Sequence, residues 1–275
     1  MPSLQRRGPT VVLSIAGYDP SSGAGVTADI KTIAAHGCYA ITCITALTVQ
    51  STQGVKRFET MDASVITETL EELAADFSIA AVRIGMLGSA EAARAVAAFI
   101  RRQRSPNVVL DPVLKSSSGT DLISRDGAQV LKEKLLTLAH VITPNLDEAA
   151  ALTGLPVSNL DEMQAAALQL RRFGAQNVII TGGHLNPPID LLSLAETPEI
   201  KLFKGKKISS QSTHGTGCAF ATSLACNLAL GRNLIHATRA AKLYVTAALR
   251  RAVHLGKGTG PINHLAAFGS RGLIS

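Results

Sequence analysis

Short apolar runs that stop at glycine, aspartate or asparagine constrain the fold of this chain more than any other feature. Thr10 to Ala16 ends at Gly17-Tyr18-Asp19, Ala81 to Ile84 at Gly85-Met86, and Val108 to Leu110 at Asp111-Pro112. Val141-Ile142 ends at Thr143-Pro144-Asn145, and Val178 to Ile180 at Thr181-Gly182-Gly183. Runs this short and this apolar suit strands buried on both faces. Helical spacing fills the gaps: Ala24 to Ala35, a helix capped by Asp62 and running to Ala75, and Ala90 to Arg102. Two long helices, about Gly217 to Leu230 and Leu234 to Leu255, close the chain. Ala40 to Val49 is a β-branched strand, Val55 to Glu59 a short edge strand, and a hairpin lies between about Leu191 and Ile208. The alternation predicts an α/β fold of three layers, α/β/α, around a mainly parallel central sheet. Ligands of such sheets bind beyond the carboxyl ends of the strands, so five polar segments converge on one edge.

The 275 residues, 46% of them hydrophobic, fit one large α/β domain or two small ones, with ample material for a core, and no domain linker is visible. Residues 1–9 read as a loose tail and 10–275 as a single domain. Aromatics make up only 4% and Trp is absent, which argues against a stacking platform for single-stranded nucleic acid. The net charge of +7 is spread over pairs such as Arg101-Arg102 and Arg171-Arg172, with no long basic block. No apolar run approaches the length of a membrane span. Cys38, Cys43, Cys218 and Cys226 match no zinc or redox spacing, and a reducing cytoplasm is their natural setting.

Thr213-His214-Gly215-Thr216-Gly217-Cys218 runs straight into a long apolar helix. The first amides of such a helix lack partners within it, and the helix dipole adds partial positive charge there. Glycines at 215 and 217 let main-chain N–H groups approach an anion. Cys218 falls in the first turn, where a thiol pKa tends to drop. The combination suits phosphoryl transfer. The alternative is an ordinary capped helix with a buried structural thiol.

Other segments are weaker by themselves. Gly17 to Gly25 is not a Walker A loop, and its Gly23-x-Gly25-x-x-Ala28 lacks the acidic partner of a dinucleotide site. A substrate-enclosing loop and a plain connection both fit it. Asp29 could accept from an amine or stand solvated on a helix. Asp111, Asn145 and Glu148 carry oxygens suited to Mg²⁺, yet Asn145 and Glu148 also read as a helix cap with a first-turn acid. Gln50 offers the donor and acceptor that a pyrimidine edge requires, and is otherwise a surface amide. Met86 suits a pocket wall or core. His184 and His214 are not expected to act as bases.

Taken together, Ser14-Ile-Ala-Gly-Tyr-Asp-Pro-Ser-Ser-Gly-Ala-Gly-Val-Thr-Ala-Asp-Ile-Lys-Thr, Thr45-Ala-Leu-Thr-Val-Gln, Ile84-Gly-Met-Leu, Leu110-Asp-Pro-Val, Ile142-Thr-Pro-Asn-Leu-Asp-Glu-Ala, Gly182-Gly-His and the 213–218 motif resemble the hydroxymethylpyrimidine kinase/phosphomethylpyrimidine kinase family of the ribokinase superfamily. The resemblance runs from about Val11 to Pro261. It implies a ribokinase-like fold and two ATP- and Mg²⁺-dependent phosphorylations in thiamine biosynthesis. The first acts on 4-amino-5-hydroxymethyl-2-methylpyrimidine and the second on its monophosphate. It further implies a cytoplasmic homodimer with no nucleic-acid or membrane partner. By the same analogy Gln50 and Asp29 address the pyrimidine, with Gly17, Ala24, Met86 and Val113 lining its pocket. Gly215, Thr216, Gly217 and Cys218 hold and transfer the phosphoryl group. Asn145, Thr181, Gly183 and Thr213 bind nucleotide, and Asp111 and Glu148 organise Mg²⁺.

Two departures stand out. Thr181 replaces the lysine usual before Gly182-Gly183, with Lys115 to Ser118 as a candidate substitute cation. Tyr18 adds bulk after Gly17. On this reading Cys218→Ser keeps binding but loses most turnover, and Gly217→Val damages both. The alternatives are a pyridoxal or dual-substrate kinase, a non-catalytic pyrimidine-binding protein of the same fold, and a dinucleotide enzyme.

Overall fold

The computed structural model describes residues 8–266 except 106 and 117. Most of the expected N-terminal tail, residues 1–7, lies outside them. The nine strands form one sheet in the order β3-β2-β1-β4-β5-β6-β7-β8-β9. The strands are β1 (Val11–Tyr18), β2 (Tyr39–Ser51), β3 (Gly54–Thr60), β4 (Ile79–Ile84), β5 (Val108–Leu110), β6 (Val141–Ile142), β7 (Asn177–Ile180), β8 (Ile189–Ser193) and β9 (Ile200–Lys204). Neighbours from β2 through β7 pair in parallel. β3 at one edge and the β8–β9 hairpin at the other are antiparallel.

Alternation along the strands feeds two cores. Leu13, Ile15, Val82, Ile84, Leu110, Ile142, Val178 and Ile180 point to one face. Val12, Ala81, Val109, Val141 and Ile179 point to the other. Successive side chains of a strand leave opposite faces, so a sheet covered on both sides needs apolar residues at nearly every position. The first face is covered by α2 (Ala63–Asp76), α3 (Ala90–Gln103), α4 (Arg125–Val130), α5 (Leu146–Thr153) and α6 (Leu160–Arg172). The second carries α1 (Gly25–Ala35), α7 (Thr216–Ala229) and α8 (Leu234–Arg250). α7 lies across β1, β4 and β5, the middle of the sheet. Its ten consecutive buried residues from Ala219 to Leu228 explain its apolar composition on all sides.

Parallel register sets the functional edge. Ile15 pairs with Ile84, Ile84 with Leu110, Leu110 with Ile142, and Ile142 with Val178. Gly85, Asp111 and Thr143 follow these residues, and their amides bond to Ile15, Ile84 and Leu110 carbonyls at 2.8, 2.8 and 2.9 Å. Thr181 joins the row through Pro144 O at 2.9 Å. The chain reverses its strand order at β1, between β2 and β4, which is where doubly wound sheets open a crevice.

Several expectations shift. The last helix stops at Arg250, five residues before Leu255, because Val253 and Leu255 are 68% and 58% exposed and have no core to join. Asp62 is the N-cap residue of α2, but its side chain makes no capping bond. α4, the π-helical turn Leu131–Leu135 that continues it, and α6 went unassigned in the sequence. The buried stripe of α6 is Met163, Ala166, Ala167 and Leu170, half of it alanine, so its periodic signal is weak. Ser124 and Asn159 cap α4 and α6 by accepting from Gly127 N and Glu162 N.

Candidate active site

α7 begins at the sheet's functional edge. Its N-cap, Gly215, has φ +84°, a left-handed conformation that glycine reaches without steric cost. The first helical bond runs from Ala219 N to Gly215 O at 2.9 Å, which leaves the amides of Gly217 and Cys218 facing out of the helix end. A Cβ on Gly217 would meet no atom within 4 Å, so open space lies over these donors. At Gly215 the opposite holds. A Cβ there would sit 1.8 Å from Gly23 O, so the loop after β1 rests on the turn itself.

That loop is organised by Asp19. Its Oδ2 accepts from Ala24 N at 2.9 Å and Gly23 N at 3.2 Å, and its Oδ1 from Ser21 N and Oγ at 2.8 and 2.7 Å. Because Ala24, the N-cap of α1, has no capping side chain, Asp19 does that work from five residues upstream. His214 Nε2 donates to Asp19 Oδ2 at 2.8 Å and ties the loop to the phosphate turn. Both side chains are buried. Burial alone would raise the Asp19 pKa, but His214, Ser21 and Ala24 outweigh it and hold the carboxyl below its ordinary range. Gln50, near the end of β2, brings its Nε2 to 3.3 Å from the same His214 nitrogen. Met86 and Val113 pack with Ala46, Phe58 and Leu122 beside it. A Cβ on Gly17 would lie 2.8 Å from Met86 Sδ, so a side chain there would push Met86 aside. The fold thus brings Ala24 and Gln50 to the turn at 213–218, while Gly17 meets Met86, which packs in one cluster with Val113.

Asp29 behaves differently. It is fully buried on α1, and its oxygens accept from Ser14 Oγ at 2.6 Å, Thr222 Oγ1 at 2.6 Å and Arg83 Nη1 at 3.1 Å. It is neither the solvated helical acid nor a group presented to a ligand. It is an internal anchor. Ile30 on the same helix is 43% exposed, so the inward face of α1 carries the acid instead. Arg83 of β4 is also fully buried, and its Nη2 donates to Asp111 Oδ2 at 2.6 Å. Burial pulls the guanidinium pKa down, but Asp29, Cys218 and Asp111 together raise it above the ordinary value. Burial raises the Asp111 pKa and Arg83 opposes it. With a guanidinium at 2.6 Å the pair is ionised.

Cys218 corrects the sequence expectation. Its thiol pKa is pushed up to about 12. Burial is the main cause; Arg83 lowers the value while Asp111 and Asp29 raise it. The side chain keeps some exposure, but the sulfur faces these charged groups from below the turn. Desolvation and two carboxylates outweigh the helix dipole.

Asn145 and Glu148 form a complete capping box: Asn145 Oδ1 accepts from Glu148 N and Glu148 Oε2 from Asn145 N, both at 2.9 Å. Glu148 is buried, and burial first, then the charge of Asp111, push its pKa to about 8. Two crowded carboxylates at the strand ends are what a Mg²⁺ ion with retained waters would relieve. Among the described residues no group of three or more His, Cys, Asp or Glu could hold a metal. Thr181 bridges Asn145, and Gly182 N donates to Asp190 Oδ1 at 3.1 Å. Gly183 and Thr213 are exposed nearby in sequence to these turns. Lys115 pairs with Asp121 at 3.5 Å on the surface, and residue 117 lies outside the described residues. Lys207 instead reaches this region, donating to Gly183 O at 3.1 Å.

Sequence reasoning missed Asp19, His214 and Arg83 as site builders. Arg83 had a visible signal: a charge inside Ala81-Val82-Arg83-Ile84 needs a buried partner. Asp19 and His214 had none, being 195 residues apart.

Comparison with known proteins places the chain in a family. The chain is 42% identical over 256 residues to the thiamine biosynthesis bifunctional protein ThiED of Geobacter sulfurreducens, covering 93% of this chain and 52% of that one. It therefore spans about half the length of that relative. It is 42% identical over 260 residues to the hydroxymethylpyrimidine/phosphomethylpyrimidine kinase of Haemophilus influenzae, covering 93% and 96%. In structure it resembles an ADP complex of Bacillus subtilis pyridoxal kinase, with TM-score 0.86, 32% identity and coverage of 94% and 98%. The family described as phosphomethylpyrimidine kinase matches residues 19–263, nearly the whole chain from the Asp19 loop to the segment beyond the last helix, and the chain belongs to that family.

Proposed function

We propose that this protein is an ATP-dependent kinase that phosphorylates the hydroxymethyl group of 4-amino-5-hydroxymethyl-2-methylpyrimidine and then the resulting monophosphate, in thiamine biosynthesis. The observation that carries the reading is one meeting point: the Gly23 carbonyl of the loop at 17–25 rests on Gly215, Gln50 lies 3.3 Å from His214 of the same turn, and Gly217 beside them is exposed. An alcohol and a terminal phosphate placed there stand next to one another, and placement supplies much of the rate in phosphoryl transfer.

In the first step the alcohol oxygen attacks the γ-phosphorus, the bond to the β–γ bridging oxygen breaks, ADP leaves, and the hydroxyl proton passes to an oxygen of the transferred phosphoryl group and from there to water. In the second step a phosphate oxygen of the monophosphate attacks instead. The Gly217 and Cys218 amides face the charge on the transferring group. Cys218 acts through its amide and as a neutral thiol, since its sulfur is protonated at ordinary pH. Gln50 offers its amide to the ring edge, and Met86 and Val113 give an apolar wall. Asn145, Thr181, Gly183 and Thr213 take the nucleotide. Asp111 and Glu148 would hold Mg²⁺, which supplies charge neutralisation on the phosphates. The single domain extends over 10–275. Four free cysteines suit a cytoplasmic setting. Among the described residues no helix is long and apolar enough to cross a membrane. Exposed Leu47 and Val49 on β2 offer apolar surface for a homodimer, which light scattering would test.

The test is ADP release on the pyrimidine alcohol, followed by mass analysis for one and two added phosphates, with and without excess EDTA. The reading predicts both products and their loss in EDTA. Tight binding of the alcohol with no ADP release overturns it. A second reading, phosphorylation of pyridoxal, draws on the likeness to the Bacillus subtilis enzyme. Turnover on the two alcohols side by side decides between them.

A further inference from the structure

Arg83 has no part in the account above, yet it is the largest of the fully buried side chains. It stands on the central strand β4, on the face covered by α7. Its two terminal nitrogens reach different elements: Nη1 meets Asp29 on α1 at 3.1 Å and Nη2 meets Asp111 after β5 at 2.6 Å. Asp29 carries the link onward through Thr222 Oγ1 at 2.6 Å, and that hydroxyl lies 2.7 Å from Cys218 O in the first turn of α7. Ser14 of β1 closes the network on Asp29 at 2.6 Å. A Cβ on Gly85 would sit 2.0 Å from Arg83 Nη1, so the backbone beside it is pared down to admit the guanidinium. One planar fork therefore spans a strand end and a helix start, and both Arg83 and Asp111 also meet the Cys218 side chain in the first turn of α7.

We propose that Arg83 is a positioning residue for the phosphoryl transfer: it ties the Asp111 carboxylate to the first turn of α7, so that the metal-side acid and the anion cradle keep one fixed separation. The proposal rests on the kinase reading of this site and adds a residue that the motif at 213–218 does not contain. A guanidinium serves where an ammonium does not, because the two acceptors lie in different directions and require two donors held rigidly apart.

The test uses the full chain. Arg83→Met with Asp29→Asn removes one charge of each sign, so the network of Arg83, Asp29 and Asp111 keeps its net charge. A thermal melt first establishes that this variant folds. It is expected to bind the pyrimidine alcohol with KM within about 3-fold of the parent, while kcat falls roughly 10²-fold from misplacement of reacting groups. Mn²⁺ titrated in the presence of a nonhydrolysable ATP analogue, read by electron paramagnetic resonance, is expected to bind about 10-fold more weakly. Arg83→Lys, whose single ammonium cannot hold both carboxylates, is expected to show most of both effects. Adding Asp111→Asn to the double variant costs clearly less than Asp111→Asn costs in the parent, because part of the contribution of Asp111 is already lost with Arg83. A folded double variant with parental kcat and parental Mn²⁺ affinity overturns the proposal, as does a fully additive loss with Asp111→Asn. If the parent releases no ADP, the kinase reading fails separately, and the Mn²⁺ series still decides the role of Arg83.

Discussion

The thiol of Cys218 gives the sharpest test of the electrostatics. With a pKa near 12 and a medium at pH 7.5, only about 3 in 10⁵ molecules carry the thiolate, and ionising it costs roughly 6 kcal/mol. That raised pKa argues against a resident general base and revises the expectation that Cys218→Ser loses most turnover. Serine keeps the amide and a neutral donor, so kcat is expected to fall less than about 10-fold, against the ~10²–10⁴-fold typical of a lost base. Alkylation of the metal-free protein by iodoacetamide, followed by peptide mass spectrometry, reads the thiol directly. Cys38, Cys43 and Cys226 are buried, and Cys218 alone among the described cysteines keeps part of its surface. Against an ordinary thiol the thiolate fraction is lower by about 3 × 10³, and the greater nucleophilicity of a more basic sulfur returns about 1.6 decades. Modification is therefore expected to be roughly 10²-fold slower. Its rate should rise about tenfold per pH unit to at least pH 10 without a plateau, a signature that steric shielding does not mimic. A plateau below pH 9, or a Cys218→Ser loss above 10²-fold, refutes the argument. The stability sign follows: the folded pKa lies above the unfolded value of 9.0, so the neutral thiol weakens the native state only as pH climbs past 9.

The glycines of the phosphate turn should part company on substitution. Gly215→Ala meets both φ +84° and the Gly23 carbonyl at 1.8 Å, so melting is expected to fall by about 1–3 kcal/mol and ATP affinity with it; Gly217→Ala meets nothing, so the helix gains up to about 1 kcal/mol while calorimetry shows weaker ATP. Equal behaviour of the two would sink the assignment of roles. Asp19→Asn removes the carboxylate that gathers His214 and the loop amides, and is expected to raise KM for the pyrimidine more than it lowers kcat. Because the folded Asp19 pKa is depressed, its stabilisation is present above about pH 3.8 and lost as pH falls below it, which urea melts of the two proteins from pH 3 to 6 will resolve; a constant difference across that range contradicts the pairing. Gln50→Leu is expected to raise KM about 3–10-fold, the worth of a neutral hydrogen bond, at nearly constant kcat. An unchanged KM removes Gln50 from the ring edge.

The sheet and its functional edge were legible because buried parallel strands must be apolar and must end where polar groups find water. The row of Gly85, Asp111, Asn145 and Thr181 could be written down from the chain alone, as could the hairpin and the edge strand. α6 could not, since alanine marks a buried face too faintly. The site was legible only in outline. Asp29 was misjudged because its three donors, Ser14, Arg83 and Thr222, come from three other elements. Cys218 was misjudged for a related reason: a helix dipole is a local property visible in sequence, whereas burial and the charges of Asp29 and Asp111 arrive by tertiary packing. The capping box of Asn145 and Glu148 was foreseen as one of two readings, and the fold realises it.

The carbonyl of Gly23 resting on Gly215 has a practical corollary for anyone wishing to alter acceptor choice. Where the loop at 17–25 meets the turn at 213–218 the contact is peptide backbone, which no side-chain library can thin or thicken. Shortening or lengthening the chain around 20–24 would therefore shift the loop and the phosphate turn together. Under the proposed function, room for a bulkier ring is better sought by trimming Met86 or Val113, which pack in a separate cluster with Ala46 and Leu122.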